Sequence, residues 1–228
     1  MTTRRADLVG IGIYTPSEAA YYARVTTQTM VRWVHGSRRG DPVFRAQLEG
    51  DTEKTVTFLD LVQALAIRAI RREFKVPLPK IREAVEEASQ RYSVDYPFAM
   101  HHKTFLFDKE IHIELPKLGS VQISGKQKGQ LIERVIAEPY LVDLTFSDEG
   151  LAVQYRAFEY RGRCVVIDPA RRLGQPIIKP CNCLADSLLD AYRSEGSVGA
   201  AARAYGVDED DVLFAIQYDD HLGGRTAA

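Results

Sequence analysis

The apolar period changes twice along this chain, and that change limits the architectures open to it. From Ile13 to Tyr92, hydrophobes recur at helical spacing. From about Phe98 to Ile167 they fall in short β-rich runs: "TFLF", "IHIEL", "SVQIS", "YLVDLTF", "LAVQYRAF" and "CVVI". From Asp168 to His221 the helical spacing returns. Helices at both ends around a strand-rich middle predict an α+β chain. Three domains are expected: 1–95, a small antiparallel β region over 96–167, and a three-helix domain over 168–228. The 228 residues are enough to give each its own core.

The first segment carries its helix signals in order. Tyr14-Thr15-Pro16-Ser17 opens a short helix, with Pro16 or Ser17 at its start and Glu18 in the first turn. It runs to about Tyr22. Ala23-Arg24-Val25 reads as a tight turn. Thr26 or Thr27 caps a second helix through Val34, and Gly36 suits a left-handed C-cap. Arg38-Arg39-Gly40-Asp41-Pro42 follows as a basic loop. Two longer helices are expected over Phe58–Phe74 and Pro79–Tyr92. At the other end, helices are expected over Asp186–Tyr192, Val198–Tyr205 with Ser197 as cap, and Asp208–Tyr218.

Two of these helix pairs share a pattern. "SEAAYYARVTTQTMVRWV" laid on "SVGAAARAYGVDEDDVLFAI" puts Ala19 and Ala20 on Ala201 and Ala202, and Val25 on Val207. Both read as helix, tight turn, helix. Their chemistry differs at the start of the second helix. Thr26, Thr27, Gln28, Thr29 and Arg32 are groups that bond base edges or phosphate, and no acid lies between Thr26 and Arg39. Arg24, Arg38 and Arg39 flank that helix as candidate phosphate contacts. Trp33 and Val34 read as core anchors. In the later pair, Asp208, Glu209, Asp210 and Asp211 occupy the corresponding place. Carboxylates suit the positive end of a helix but oppose a phosphate-lined groove. Those four point to a protein interface or to plain structure.

Net charge agrees with this division. Residues 1–91 hold 15 Lys and Arg against 11 Asp and Glu, whereas residues 182–228 hold 3 against 9. The basic end attracts phosphate and the acidic end repels it. No apolar run reaches the ~20 residues of a membrane helix, and no apolar stretch follows the N-terminal arginines. Neither a membrane span nor a signal peptide is expected. Three cysteines, an odd number, suit a reducing compartment, so a cytoplasmic protein is expected.

Catalytic and metal chemistry find little support. No P-loop, GxGxxG, GxSxG or HExxH occurs. Cys181-x-Cys183 lacks the usual zinc spacing and a second pair, even with Cys164. Glu110, His112 and Glu114 share one face of a strand and read as a solvated face. His101-His102 reads as loop. No enzyme activity, metal or cofactor is expected.

Two resemblances extend this reading. "YTPSEAAYYARVTTQTMVRWV", the basic loop and "FLDLVQALAIRAIRREFKVPLPKIREAVEEA" together resemble the MerR-type winged helix-turn-helix, over about the first 92 residues. From "VVIDPARRLGQPII" onward the chain is similar to a short helical domain of VapB-type bacterial antitoxins. Gly174, Pro176 and Ile178 fit that family's GxPxI turn. Lys179-Pro180-Cys181-Asn182-Cys183 replaces its Gly-Thr-Arg-like continuation. The combination implies a type II antitoxin that binds operator DNA as a homodimer, represses its own operon and neutralises a PIN-domain ribonuclease toxin. The alternatives are a MerR-like regulator that senses a small molecule, and an adaptor that does not bind DNA.

Overall fold

Capping chemistry sets where the N-terminal helices begin. The computed structural model describes residues 11–38, 40–48, 53–100, 104–107, 110–115, 119–126, 131–132 and 143–223. After the two-residue strand β1 (Ile13–Tyr14), α1 spans Pro16–Tyr22. Thr15 and Glu18 form a capping box, each side chain serving the other's backbone N–H. Helix α2 spans Thr27–His35 with Thr26 as its cap, one residue longer than expected. Gly36 ends it at φ 75° and ψ −165°, outside the left-handed helical basin that the sequence suggested. Its role is close approach. A Cβ there would lie 3.0 Å from the Pro42 nitrogen and 3.1 Å from the Gly40 carbonyl.

Strand β2 (Val56–Thr57) pairs antiparallel with β1, Ile13 opposite Thr57. Helix α3 (Phe58–Arg72) starts directly from it on a Thr57–Asp60 capping box. Helix α4 (Leu78–Tyr92) follows, with Ile81, Ala84, Val85 and Ala88 on its buried side. Helix α1 packs on α2, and α2 on α3. Met30, Trp33 and Val34 face inward with Leu61, Val62 and Ile67. Full burial of each such side chain is worth about 1.5–3 kcal/mol, so the apolar face fixes which side of α2 meets water.

Strands β3 (Thr104–Phe107), β4 (Glu110–Leu115), β5 (Gly119–Gln122) and β6 (Leu131–Ile132) form an antiparallel sheet in chain order. The expectation of a solvated face at Glu110 and His112 fails here. His112 is fully buried. The Glu110 carboxylate is ion-paired with Lys80 of α4 and accepts from the Ser124 hydroxyl. Burial alone would raise the Glu110 pKa, but the Lys80 and Ser124 bonds outweigh it and hold it below the ordinary 4.5. Strand β7 (Leu144–Phe146) belongs to a second, five-stranded sheet, as the edge strand beside β8 (Ala152–Tyr160).

Strands β8 (Ala152–Tyr160), β9 (Arg163–Ile167), β10 (Ile177–Lys179) and β11 (Cys183–Leu184) pair antiparallel in that order. Three helices follow: α5 (Ala185–Glu195), α6 (Val198–Tyr205) and α7 (Glu209–Leu222). They pack on one another around Ala191, Ala201, Ala202 and Val212. Phe158 of β8 stacks on Phe214 of α7 at 5.3 Å and joins sheet to helices.

The described residues divide into two units, 13–153 and 154–223, the second also taking in residues 11 and 12. That division lies inside β8 and not near residues 95 and 167, where the sequence placed it. The reason is strand pairing. Ile177 of β10 lies opposite Val166 of β9, and Ile178 opposite Val165. These pairs bind β9, and β8 with it, to the C-terminal helices. The single sheet expected over 96–167 is two sheets.

Candidate nucleic-acid interface

Eight residues were predicted to contact DNA, and the structure sorts them by what each is free to do. Thr26 is committed to the helix. Its hydroxyl accepts the Thr29 N–H at 3.2 Å and donates to the Thr29 Oγ1 at 2.9 Å. Thr29 Oγ1 accepts that bond and keeps its own O–H to donate. Thr27, Gln28 and Arg32 are exposed, with no hydrogen-bonded or ionic partner among the described residues. Gln28 and Arg32 stand four apart, one above the other on one face of α2. Trp33, one residue on, is buried. The exposed face thus carries an amide, a hydroxyl and a guanidinium, the groups that read base edges in a major groove.

Arg24 is exposed in the turn between α1 and α2, at φ 53°. Arg38 is exposed beyond the other end of α2. Ser37 and Gly40 bond each other in both directions, at 2.8 Å and 3.2 Å, and close a two-residue turn with Arg38 in it. Arg39 lies outside the described residues, as do His101 and His102. Cations thus stand at both ends of α2, where phosphates flank a helix lying in a groove.

The loop behind Arg38 is tied down at several points. Val43 N–H donates to the Trp33 carbonyl at 2.7 Å. Arg82 of α4 donates to the Pro42 and Asp41 carbonyls, both at 3.1 Å. Gln47 N–H donates to the Asp60 carboxylate at 3.1 Å. Asp60 is fully buried, and burial raises its pKa against the lowering bonds from Thr57 and Gln47. Between this loop and α4 lies an open groove of about 610 Å³. His35, the last residue of α2, lines it with Val43, Phe44, Arg82, Val85 and Asp95. The buried His35 Nε2 has no hydrogen-bond partner. Sequence reasoning missed this groove, because its walls come from segments some 40 residues apart.

The acidic start of α7 is arranged differently. Asp208 occupies the cap position but its side chain makes no cap bond. Asp208, Glu209 and Asp210 are exposed. Asp211 is 3% exposed and points inward. It accepts from Arg163 Nε at 2.8 Å, while Asp208 and Asp210 stand 3.9 Å and 3.7 Å from the same guanidinium. The Asp211 bond and the neighbouring carboxylates push the Arg163 pKa up. One of the four candidate interface residues is therefore a structural anchor.

The cysteines are free thiols. Burial pushes the Cys181 thiol up to about 12, and nearby Asp211 and Cys183 add to the effect. Such a group stays protonated at neutral pH and is a poor nucleophile. No cluster of three or more His, Cys, Asp or Glu suited to a metal occurs among the described residues. No helix among them is long and apolar enough to cross a membrane.

No protein-family profile matches this chain. It is 26% identical over 226 residues to a protein of Mycobacterium tuberculosis (strain ATCC 25618 / H37Rv) named "Putative antitoxin VapB45", across 90% of this chain and 93% of that one. Its structure is similar to the crystal structure of Rv2018 from Mycobacterium tuberculosis, with a TM-score of 0.61 and 20% identity. That likeness covers 89% of this chain and 96% of the other. The chain therefore shares the fold of Rv2018 and resembles, over nearly its whole length, a protein that carries the name of an antitoxin.

Proposed function

We propose that this protein is the antitoxin of a toxin–antitoxin pair and represses its own operon. One observation carries the DNA-binding part: the exposed face of α2 holds Thr27, Gln28 and Arg32 with no carboxylate among them. In this reading α1 and α2 are a helix-turn-helix of the MerR type. Helix α2 lies in the major groove, and the loop through Arg38 and Arg39 serves as a basic wing. Gln28 reads adenine, Arg32 reads guanine or grips phosphate, and Arg24 and Arg38 hold the backbone. The protein binds as a dimer on two half-sites, since one such module buries little surface. The C-terminal unit engages a toxin, a PIN-domain ribonuclease, and the chain has no catalytic activity of its own. The likeness to a protein named as an antitoxin supports this half of the proposal.

Fluorescence anisotropy with DNA from upstream of the protein's own reading frame tests it. Saturable binding at moderate salt, lost on scrambling the sequence, is the expected result. Equal affinity for scrambled DNA removes sequence-specific repression. A second reading, a regulator that senses a small molecule, is favoured by the groove beside His35, whose volume falls in the range of small-ligand sites.

A further inference from the structure

Arg82 of α4 is bonded to the backbone of a loop 40 residues away in the chain. Its Nε donates to the Pro42 carbonyl and its Nη2 to the Asp41 carbonyl, both at 3.1 Å. A nearer partner stands on its own helix. Glu86 lies four residues on, the spacing of a helix ion pair. Yet Glu86 accepts from Gln90 Nε2 at 3.0 Å, and the Arg82 guanidinium turns to the loop. The planar group spans two consecutive carbonyls as a fork, which an ammonium on a single stem does not reproduce. Bonds from a charged donor are also the stronger kind.

The two carbonyls follow directly on the turn that carries Arg38. Ser37 and Gly40 close that turn, and Asp41 and Pro42 come next. The inner side of the loop is braced against α2. Val43 N–H donates to the Trp33 carbonyl at 2.7 Å. Gly36 lies so near Pro42 that a Cβ on it would meet the proline Cδ at 3.1 Å. Pro42 has a fixed φ and restricts Asp41 before it, so both carbonyls are presented in a set direction. Arg82 braces the same stretch from α4. Arg38 itself is exposed and makes no side-chain bond among the described residues. The turn alone aims it, and Arg82 holds the exit of that turn.

We propose that Arg82 is a positioning residue of the DNA reader: it keeps the Arg38–Arg39 turn ready for phosphate without touching DNA itself. This rests on the reading of α2 and its basic loop as a DNA-binding surface. A tethered turn brings its arginines to the phosphates already ordered. A loose turn must order them on binding, and each long side chain immobilised then costs affinity. Arg38 and Arg39 still neutralise phosphates once bound, so losing the tether leaves the number of released counterions unchanged. Losing a direct phosphate contact lowers that number. The salt slope therefore separates positioning from contact.

Fluorescence anisotropy of the full chain on its upstream DNA, across a range of salt, is the test. Arg82→Met removes both bonds and keeps an apolar stem; Arg82→Lys keeps the charge and loses the fork. Each should weaken binding roughly tenfold at the salt slope of the wild type. Added to Arg38→Ala with Arg39→Ala, Arg82→Met should change affinity less than about twofold, because all three act through one turn. Amide exchange at Val43, read without DNA, should quicken in Arg82→Met, while its melting temperature falls by no more than about 4 °C. Should Arg82→Met fold poorly, Arg82→Lys carries the same comparisons. A slope reduced by about 1, or full affinity in Arg82→Lys, makes Arg82 a phosphate contact and overturns the proposal. So do additive losses in the combined variant. Unchanged exchange at Val43 overturns the tether whatever the DNA result. A wild type that binds scrambled DNA equally well brings down the DNA reading and this role with it, while Val43 exchange still reports whether the tether exists.

Discussion

Thr26 and Thr29 are bonded to each other at 2.9 Å across the first turn of α2, so two of the four polar residues at that helix start take part in holding the helix. Thr26→Ala should therefore lower stability by about 1 kcal/mol, the usual worth of an N-cap. Urea melts check this. The loss of operator affinity should be small once the folded fraction is matched.

Gln28→Ala and Arg32→Ala should behave in the opposite way. Both side chains are exposed and unpartnered among the described residues, so stability should stay within about 0.5 kcal/mol. Operator affinity should fall by about 1–3 kcal/mol for each, with relaxed preference at the base that each one reads. Titrations against single-base operator variants give the measurement.

Arg38→Ala, made with Arg39→Ala, should weaken binding to all sequences alike. The slope of log affinity against log salt should fall by about 1 for each phosphate that the protein no longer neutralises. An unchanged slope takes the loop out of the interface.

Glu110 makes stability depend on pH. Its pKa is held below 4.5 in the fold, despite burial, by Lys80 and Ser124. A depressed carboxylate contributes stability that is full above its unfolded pKa and is lost as pH falls through the folded one. Glu110→Gln should therefore cost about 1 kcal/mol at neutral pH, a modest figure because both partners are about a quarter exposed. The difference from wild type should vanish in acid below the folded pKa. Urea melts across that window read it directly.

Asp211→Ala should be the most damaging of these changes. It removes the buried carboxylate that holds the Arg163 side chain at 2.8 Å. Loss of one partner of a buried pair costs about 3–5 kcal/mol. Arg163 keeps 21% exposure and two distant carboxylates, which brings the expectation to about 2 kcal/mol. Calorimetric melting is the check.

The helices were legible because their signals are local. Thr15, Thr26, Thr57 and Ser197 cap where their sequence neighbourhoods require. Helix α6 matches the expected Val198–Tyr205 span. Strand β10 was not legible. It is three residues between Pro176 and Pro180, too short for any period to register, and only pairing with β9 makes it a strand. The missed partners of Glu110 and Asp211 have the same origin. Lys80 and Arg163 lie 30 and 48 positions away in the chain, and no spacing rule reaches that far. On α2 the sequence picked out the polar start of the helix but could not say which threonines the cap would engage.

The break near the start of β8 decides what can be cut out and moved. A fragment begun at Asp168, where the helical composition starts, would leave behind Phe158 and both strands that β10 and α7 lean on. The smallest portable piece of this end of the protein starts near Gln154. Anyone grafting the C-terminal unit onto another protein should place the seam there, and a library of fusion junctions should show soluble product only for seams that keep Phe158 with the C-terminal unit.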